Sequence, residues 1–366
     1  MKPKLLLNDI HIGVQRSGGT TPATAMQLRA YLLESFAMMV QETPEYDLII
    51  NGDLFDAFMV PTADLLACLT ILYSALSSGR RAVLIRGNHD WSKDSAKLSA
   101  FDFLCRVLSI EFPDQVVTVT EPMWVDPGIY AIPHMPNQDL FNLAIEQVPA
   151  REVGRPLLLL HANYHNGFAV ESDHSLNVSE EQAKALIAKG WTLVFGHEHQ
   201  ARKALDGGVV VLGNQWPSSI ADCLNNPGGT KYAHVLRCSS DRNARWNIEP
   251  VHTWAAADDF AEVEWGDLAT FAYTARFIRV IGKATAEQAP AVIEAIAKFR
   301  QSSAAFVVSN AAQIEGVAEM ADLPSSMEQL KAFDVLGYLY EQLDPEQAEV
   351  VKKLLGAADN EMKEGA

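Results

Sequence analysis

Five short apolar segments of this chain are each followed within a few residues by aspartate, asparagine or histidine. In chain order the polar residues that follow them are Asp9, His11, Asp53, Asn88, His89, His161, His197 and His199. Carboxylate, amide and imidazole ligands without a thiolate suit divalent Mn, Fe, Co or Zn. The set is larger than one ion needs but suits two ions that share a carboxylate. Two such ions, about 3.5–4 Å apart, can clamp the attacking and leaving oxygens of a phosphate ester.

The segments that must position these residues alternate between strand and helix patterns. Apolar β-rich runs such as 5–7, 48–50, 83–85, 157–160 and 193–195 are separated by stretches with helical spacing. This alternation predicts a layered α/β domain whose strands end at one shared edge, where ligands bind. After Gly207-Gly208 the helical patterns stop, and runs at 209–212, 232–236 and 246–251 predict strands of a second sheet.

Each motif also has a purely structural explanation. An isolated Asp-x-His or His-x-His is usually a loop, and Gly87-Asn88-His89-Asp90 could be a turn in which Asp90 caps a helix. Their joint occurrence, each at the end of a predicted strand, favours the metal site.

The whole set resembles the calcineurin-like metallophosphoesterase superfamily. The matching blocks are Asp9-x-His11, Gly52-Asp53-x-x-Asp56, Gly87-Asn88-His89-Asp90, His161 and Gly196-His197-x-His199. The resemblance implies a two-sheet α/β/β/α sandwich with two divalent ions, manganese preferred and Mg, Fe, Co or Zn as alternatives. It implies that one ion is held by Asp9, His11 and His199, that the other is held by Asn88, His161 and His197, that Asp53 bridges them, and that His89 acts on the leaving oxygen.

Further residues are candidates for supporting the ligands or touching substrate. They are Asp56, Asp90, Arg16, His134 and Arg202. Each also has an ordinary explanation, as a turn residue, a loop contact or a solvated surface charge.

Finer matches resemble the bacterial SbcD nucleases and the meiotic-recombination nucleases. They include Pro61-Thr62 after the second block and the segment Gly213-Asn214-Gln215-Trp216-Pro217-Ser218. This resemblance implies a DNA exonuclease and endonuclease that serves DNA repair, recombination or phage DNA processing. The chain departs from the pattern at Asn8, where Ser is usual, and in the longer Gly-rich loop at 15–22.

Three regions are expected along the chain. We predict a nuclease domain at 1–255, a small β-α-β (α+β) capping domain at 256–320 and a C-terminal helical segment at 321–366, with helices at 325–340 and 345–355. By resemblance, that last segment could dock an SbcC-like SMC-type ATPase. A homodimer is also expected.

Composition narrows the class of partner. Apolar residues make up 48% and charged residues 20% of the 366 residues, and the formal net charge is −17. This argues against a basic nucleic-acid coat, although bound metal cations can supply positive charge locally. We find neither an apolar run long enough for a membrane span nor a signal-peptide pattern, and we expect a cytoplasmic protein.

Two rival functions stay open from the sequence. The same metal site could serve a small-molecule or cyclic-nucleotide phosphodiesterase. The chain could also be a binding or assembly subunit with a silent site, although the intact ligand set argues against this.

Overall fold

The computed structural model describes residues 1–14, 22–92, 97–150, 154–166, 175–218, 222, 230–239, 245–255, 259–271, 275–302 and 305–315. Its longer helices are α1 (Pro22–Glu42), α2 (Thr62–Ser77), α3 (Ala100–Glu111), α4 (Gln138–Glu146), α5 (Glu180–Ala188) and α6 (Ala289–Ser302). No helix in these ranges is both long and apolar enough to cross a bilayer.

The first large sheet has a parallel centre and an antiparallel edge. Its strands, in spatial order, are β14 (Trp246–Ala255), β13 (Thr230–Cys238), β1 (Lys4–Leu7), β2 (Asp47–Asn51), β3 (Ala82–Ile85) and β4 (Val116–Val119). The parallel strands β1 to β3 all run towards the same edge, so the loops that follow them lie side by side.

The second large sheet is arranged in a similar way. Its strands, in spatial order, are β11 (Arg202–Ala204), β12 (Val209–Val211), β10 (Thr192–Gly196), β7 (Leu157–His161), β6 (Ile129–Ile132) and β5 (Met123–Asp126). Strands β7 and β10 are parallel neighbours in which Gly196 is level with His161.

The two sheets pack face to face, with helices on both outer sides. Leu6 and Ile49 of the first sheet share a buried cluster with Leu159 and Val194 of the second. Leu5, the neighbour of Leu6, faces the opposite way into the core beneath α1 to α3 because successive strand residues alternate between faces. Helices α4 and α5 cover the second sheet. The predicted α/β/β/α sandwich is confirmed.

The strands after residue 207 are distributed differently from the prediction. They do not form the second sheet by themselves, because β12 pairs in parallel with β10 and so joins a sheet begun much earlier in the chain. Strands β13 and β14 instead extend the first sheet, with β13 antiparallel to β1. Apolar runs show where strands form, but the available sheet edges decide where they pair.

Smaller sheets complete the described fold. Strands β15 (Phe260–Glu264), β16 (Phe277–Ile281) and β18 (Phe306–Asn310) form a parallel sheet, with α6 between the last two. Two short pairs join β8 (Asn163–Tyr164) to β9 (Asn177–Val178) and β17 (Lys283–Thr285) to β19 (Gln313–Glu315). The expected β-α-β unit is therefore present.

All the described residues belong to one compact unit that runs to Glu315. The predicted helices at 325–340 and 345–355 lie outside the described residues. The domain boundaries near 255 and 320 stay predictions.

Candidate metal centre

The residues that follow five strands converge at one end of the sandwich. Strands β1, β2 and β3 supply Asp9, His11, Asp53, Asn88 and His89, and strands β7 and β10 supply His161, His197 and His199. The predicted shared edge is thus a junction of two sheets rather than the edge of one. All eight side chains predicted from the sequence meet in this region.

A first group contains Asp9, His11 and His199. Their candidate ligand atoms all lie within 4.8 Å of one another, and the two Nε2 atoms of His11 and His199 are 3.0 Å apart. The Asp9 carboxylate also accepts a hydrogen bond from the His197 backbone N–H at 2.9 Å, which ties the loop after β1 to the loop after β10. Two imidazole nitrogens beside a carboxylate are suitable ligands for one divalent ion.

A second group contains Asp53, His161 and His197, with Asn88 between the two histidines. Asn88 Oδ1 lies 3.0 Å from His161 Nε2 and 2.8 Å from His197 Nδ1. His161 Nδ1 donates to the Asn51 carbonyl oxygen at 2.9 Å, and His161 Nε2 lies 3.3 Å from Asp53 Oδ2. Because the carbonyl holds the proton on Nδ1, Nε2 is the nitrogen that faces Asp53 and Asn88.

Several of these residues have unusual backbone angles. Asp9, His11, Asp53 and His197 have φ of 49°, 54°, 50° and 84°. Residues with side chains rarely adopt the left-handed region, and residues held in it cluster at functional sites.

Two glycines leave room for the ligands. A β-carbon on Gly52 would lie 2.0 Å from His161 Nδ1, and one on Gly87 would lie 2.1 Å from Asp53 Oδ1. Residues 52 and 87 must therefore be glycine if the neighbouring side chains are to keep their places.

The pKa values show how strongly the group attracts positive charge. Burial opposes the charge on Asp53, but His161 and His11 hold its pKa well below its usual range. Burial also opposes the charges on His161 and His11, yet neighbouring aspartates raise both pKa values to about 9. Asp53 and Asp9 act on His161, and Asp56, Asp53 and Asp9 act on His11. A buried site that stabilises positive charge in this way, from hard oxygens and imidazoles, fits divalent cations.

His89 lies at the edge of the cluster. Its Nδ1 is 2.7 Å from the Asp56 carbonyl oxygen, and its Nε2 is 3.9 Å from Asp53 Oδ2. Its side chain is 24% exposed, whereas that of Asp53 is buried. His89, like His199 with its 27% exposed side chain, is therefore a histidine of the cluster that a substrate entering from solvent could reach.

Asp56 and Asp90 support the loops around the site. Asp56 Oδ1 lies 3.3 Å from His11 Nδ1, on the side of the ring away from His199. Asp90 is buried and accepts hydrogen bonds from the backbone N–H groups of Leu54, Phe55 and Gly87. Burial raises the pKa of Asp90 to about 7. Asp90 caps no described helix, since Ser99 caps α3.

The remaining candidates are placed less directly. His134 is buried next to the half-buried Trp91, and burial lowers its pKa to about 3. The Arg202 guanidinium binds Glu198 and donates to the Tyr164 carbonyl oxygen at 2.8 Å, so its charge is already balanced. Trp216 is part of the buried core. Arg16 lies outside the described residues.

The sequence reasoning missed Asp222. Its Oδ1 accepts a hydrogen bond from His199 Nδ1 at 2.7 Å, and its Oδ2 accepts from the Ser218 backbone N–H at 2.8 Å and from Asn214 Nδ2 at 3.0 Å. Asp222 follows no predicted strand and belongs to no motif, so neither signal used for the other residues could find it.

Comparison with known proteins agrees with this geometry. Residues 3–201 match the calcineurin-like phosphoesterase family. The chain belongs to this family. Members use a dinuclear divalent metal site, which makes this calcineurin-like phosphoesterase a metal-dependent hydrolase with candidate ligand groups in place. A search among curated proteins found no match.

Proposed function

We propose that this phosphoesterase is an SbcD-like DNA nuclease, an exonuclease and endonuclease that prefers manganese. The observation that carries the proposal is the position of the segment 213–218, whose sequence resembles those nucleases. Asn214 and Ser218 hold Asp222, which holds His199, and Gln215 accepts a hydrogen bond from the backbone N–H of Asn8 at 2.8 Å. The nuclease-like segment thus supports the first ligand group directly.

Each of the two ligand groups is assigned to one ion. Asp9, His11 and His199 would hold one ion, and Asn88, His161 and His197 would hold the other, with Asp53 between them. Two divalent ions, when bound, supply Lewis acidity towards a phosphodiester and neutralise its charge. The buried loops keep these donors in place before substrate arrives, so little reorganisation is needed.

His89 is the residue that we assign to the leaving oxygen. The Asp56 carbonyl oxygen accepts from its Nδ1, which fixes the ring and leaves Nε2 to face substrate. Because Nδ1 already carries a proton, Nε2 can donate only when the ring is doubly protonated, and it accepts when the ring is neutral. In its doubly protonated form, His89 would give the Nε2 proton to the departing alkoxide and become neutral, with its Nδ1 proton still on the Asp56 carbonyl oxygen.

The partners proposed for this activity are DNA and a second copy of the chain. An SMC-type ATPase bound through residues 321–366 would extend the parallel with the SbcD-like class. Co-purification with and without those residues tests the ATPase contact.

The function is tested with end-labelled linear duplex DNA and manganese. We expect cleavage by the native chain, loss of cleavage in Asp53→Asn, and a fall of at least about 100-fold in His89→Ala with manganese binding retained. The matched control is His252→Ala, because His252 is an exposed histidine of β14. Undiminished cleavage in either site variant would refute the assignment.

The competing function is decided by substrate size. Rapid turnover of bis(p-nitrophenyl) phosphate or cyclic nucleotides by a preparation that leaves DNA intact would identify a small-molecule phosphodiesterase. Both reactions would be lost in Asp53→Asn, because the same metal site would serve either substrate.

A further inference from the structure

Two aspartates stand behind the histidines of the first ligand group. Asp222 Oδ1 is 2.7 Å from His199 Nδ1, and Asp56 Oδ1 is 3.3 Å from His11 Nδ1. In both rings the other nitrogen, Nε2, faces the cluster, since the two Nε2 atoms are 3.0 Å apart. Each histidine thus lies between a carboxylate and the place for an ion. We call this the carboxylate-backed position.

Asp222 is held firmly in this role. Besides the Ser218 backbone N–H and Asn214, its Oδ2 accepts from Ser218 Oγ at 2.9 Å, and the residue is only 4% exposed. Lys231, also buried, donates from Nζ to the His199 carbonyl oxygen at 3.1 Å. The aspartate is therefore a buried partner for His199 whose two carboxylate oxygens are both held by hydrogen bonds.

The second ligand group is built from weaker donors. His161 Nδ1 donates to the Asn51 backbone carbonyl oxygen at 2.9 Å, a neutral acceptor in place of a carboxylate. Asn88 contributes a neutral amide oxygen, which lies between His161 and His197. Among the described residues, the carboxylate of this group is the shared Asp53. We call this the amide position.

The carboxylates behind His11 and His199 raise the metal affinity of their position in two ways. A carboxylate that accepts from the far nitrogen of a histidine makes the near nitrogen more basic and fixes the ring, and loss of such a partner typically lowers metal affinity about 10- to 100-fold. The carboxylates of Asp56 and Asp222 also add negative charge in a buried region, where charges interact strongly with a cation. Both effects favour metal binding at the carboxylate-backed position.

We propose that the two metal positions are unequal, and that Asp222 and Asp56, as positioning residues, make the carboxylate-backed position fill first and hold its ion more tightly. The amide position then fills last, so the supply of free metal controls how much of the protein carries both ions. This inference rests on the ligand assignment of the proposed function.

The test is a titration of the metal-free full-length chain with Mn²⁺ alone, followed by calorimetry and by the electron paramagnetic resonance signal of the bound ion. We expect two steps whose dissociation constants differ by at least about 10-fold, with an isolated Mn²⁺ signal in the first step and a spin-coupled pair in the second. In Asp222→Asn the first step should weaken by about 10- to 100-fold while the second changes less. Asp222→Glu, which restores a carboxylate, should recover part of the loss.

The matched control is Asp47→Asn, which makes the same chemical change at a buried aspartate. Asp47 is 6% exposed and begins β2, at the end of the strand opposite to Asp53. Its substitution should leave both steps in place. If Asp222→Asn fails to fold, as judged by thermal unfolding of the metal-free protein, Asp56→Asn tests the charge of the aspartate that lies 3.3 Å from His11 Nδ1.

Three results would overturn the proposal. They are equal affinities in the native chain, first-step affinities within twofold of native in the folded Asp222 and Asp56 variants, and an equal loss in Asp47→Asn. Failure of the proposed function gives a different result, since a chain that binds two ions unequally but cleaves no phosphodiester keeps this inference and refutes the enzyme.

Discussion

The left-handed backbone at Asp9, His11, Asp53 and His197 shows how firmly the surrounding hydrogen bonds hold the ligands. Such a conformation costs about 1–2 kcal/mol for each residue that carries a side chain. Asp53 Oδ1 accepts from the His89 backbone N–H at 2.9 Å, and Asp9 accepts from that of His197. These contacts let each residue keep an unfavourable φ in exchange for an inward-facing side chain.

A pair of glycines allows a clean test of this packing. Gly52 and Gly79 both have φ of +86°, but a β-carbon would strike His161 Nδ1 at residue 52 and meet nothing within 4 Å at residue 79. We expect Gly79→Ala to lose about 1 kcal/mol of unfolding free energy and keep its metal. We expect Gly52→Ala to lose at least as much and also to bind fewer manganese ions, as measured by elemental analysis.

Because both glycines have the same φ, a difference in metal content reports the crowding at residue 52 and not the backbone strain. Equal manganese content in the two variants would contradict this expectation.

At the scale of the elements, the ends of β1, β2, β3, β7 and β10 were predictable because each apolar run stops at a polar motif. The sheet to which each strand belongs was not predictable, since local pattern does not distinguish the free edge beside β1 from that beside β10. Asp222 was missed for a related reason. Its role depends on a contact with His199, 23 residues away, that no periodicity encodes.

Strand β13 provides a prediction of pH dependence. His234 is buried there beside Arg202, Lys203 and Tyr232, and burial together with Lys203 lowers its pKa to about 4. Above about pH 6.5 both folded and unfolded forms are neutral. As the pH falls from about 6.5 towards 4, the unfolded chain takes up the proton first, so the folded state loses up to about 3 kcal/mol.

We therefore expect His234→Gln to show a smaller fall in unfolding free energy between pH 7 and pH 4.5 than the native chain, as measured by urea denaturation. His252→Gln, at an exposed histidine of β14, should retain the native slope. Parallel curves for the native chain and His234→Gln would contradict this explanation.

At the scale of the whole molecule, the formal charge of −17 opposes contact with DNA. Bound divalent ions would offset this charge at the point where a phosphate must approach. Bound metal should then strengthen the binding of substrate as well as support catalysis.

We expect the His89→Ala variant to bind duplex DNA at least about 10-fold more tightly in manganese than in chelator, as measured by fluorescence anisotropy without cleavage. Asp53→Asn, which lacks the shared carboxylate, should show little of this enhancement. Equal affinity in chelator and in manganese would mean that other surfaces attract the DNA.

Each ligand group takes its residues from both sheets. A protein that is still being synthesised therefore lacks a complete group. Asp9, His11 and Asn88 come from the first sheet, and His161, His197 and His199 come from the second. A nascent chain still shorter than 199 residues lacks the last donor, and a molecule whose layers have separated lacks a complete set on either side. A complete set of candidate metal ligands therefore exists only in the finished tertiary structure, so immature or damaged copies would lack the site on which metal-dependent hydrolysis depends.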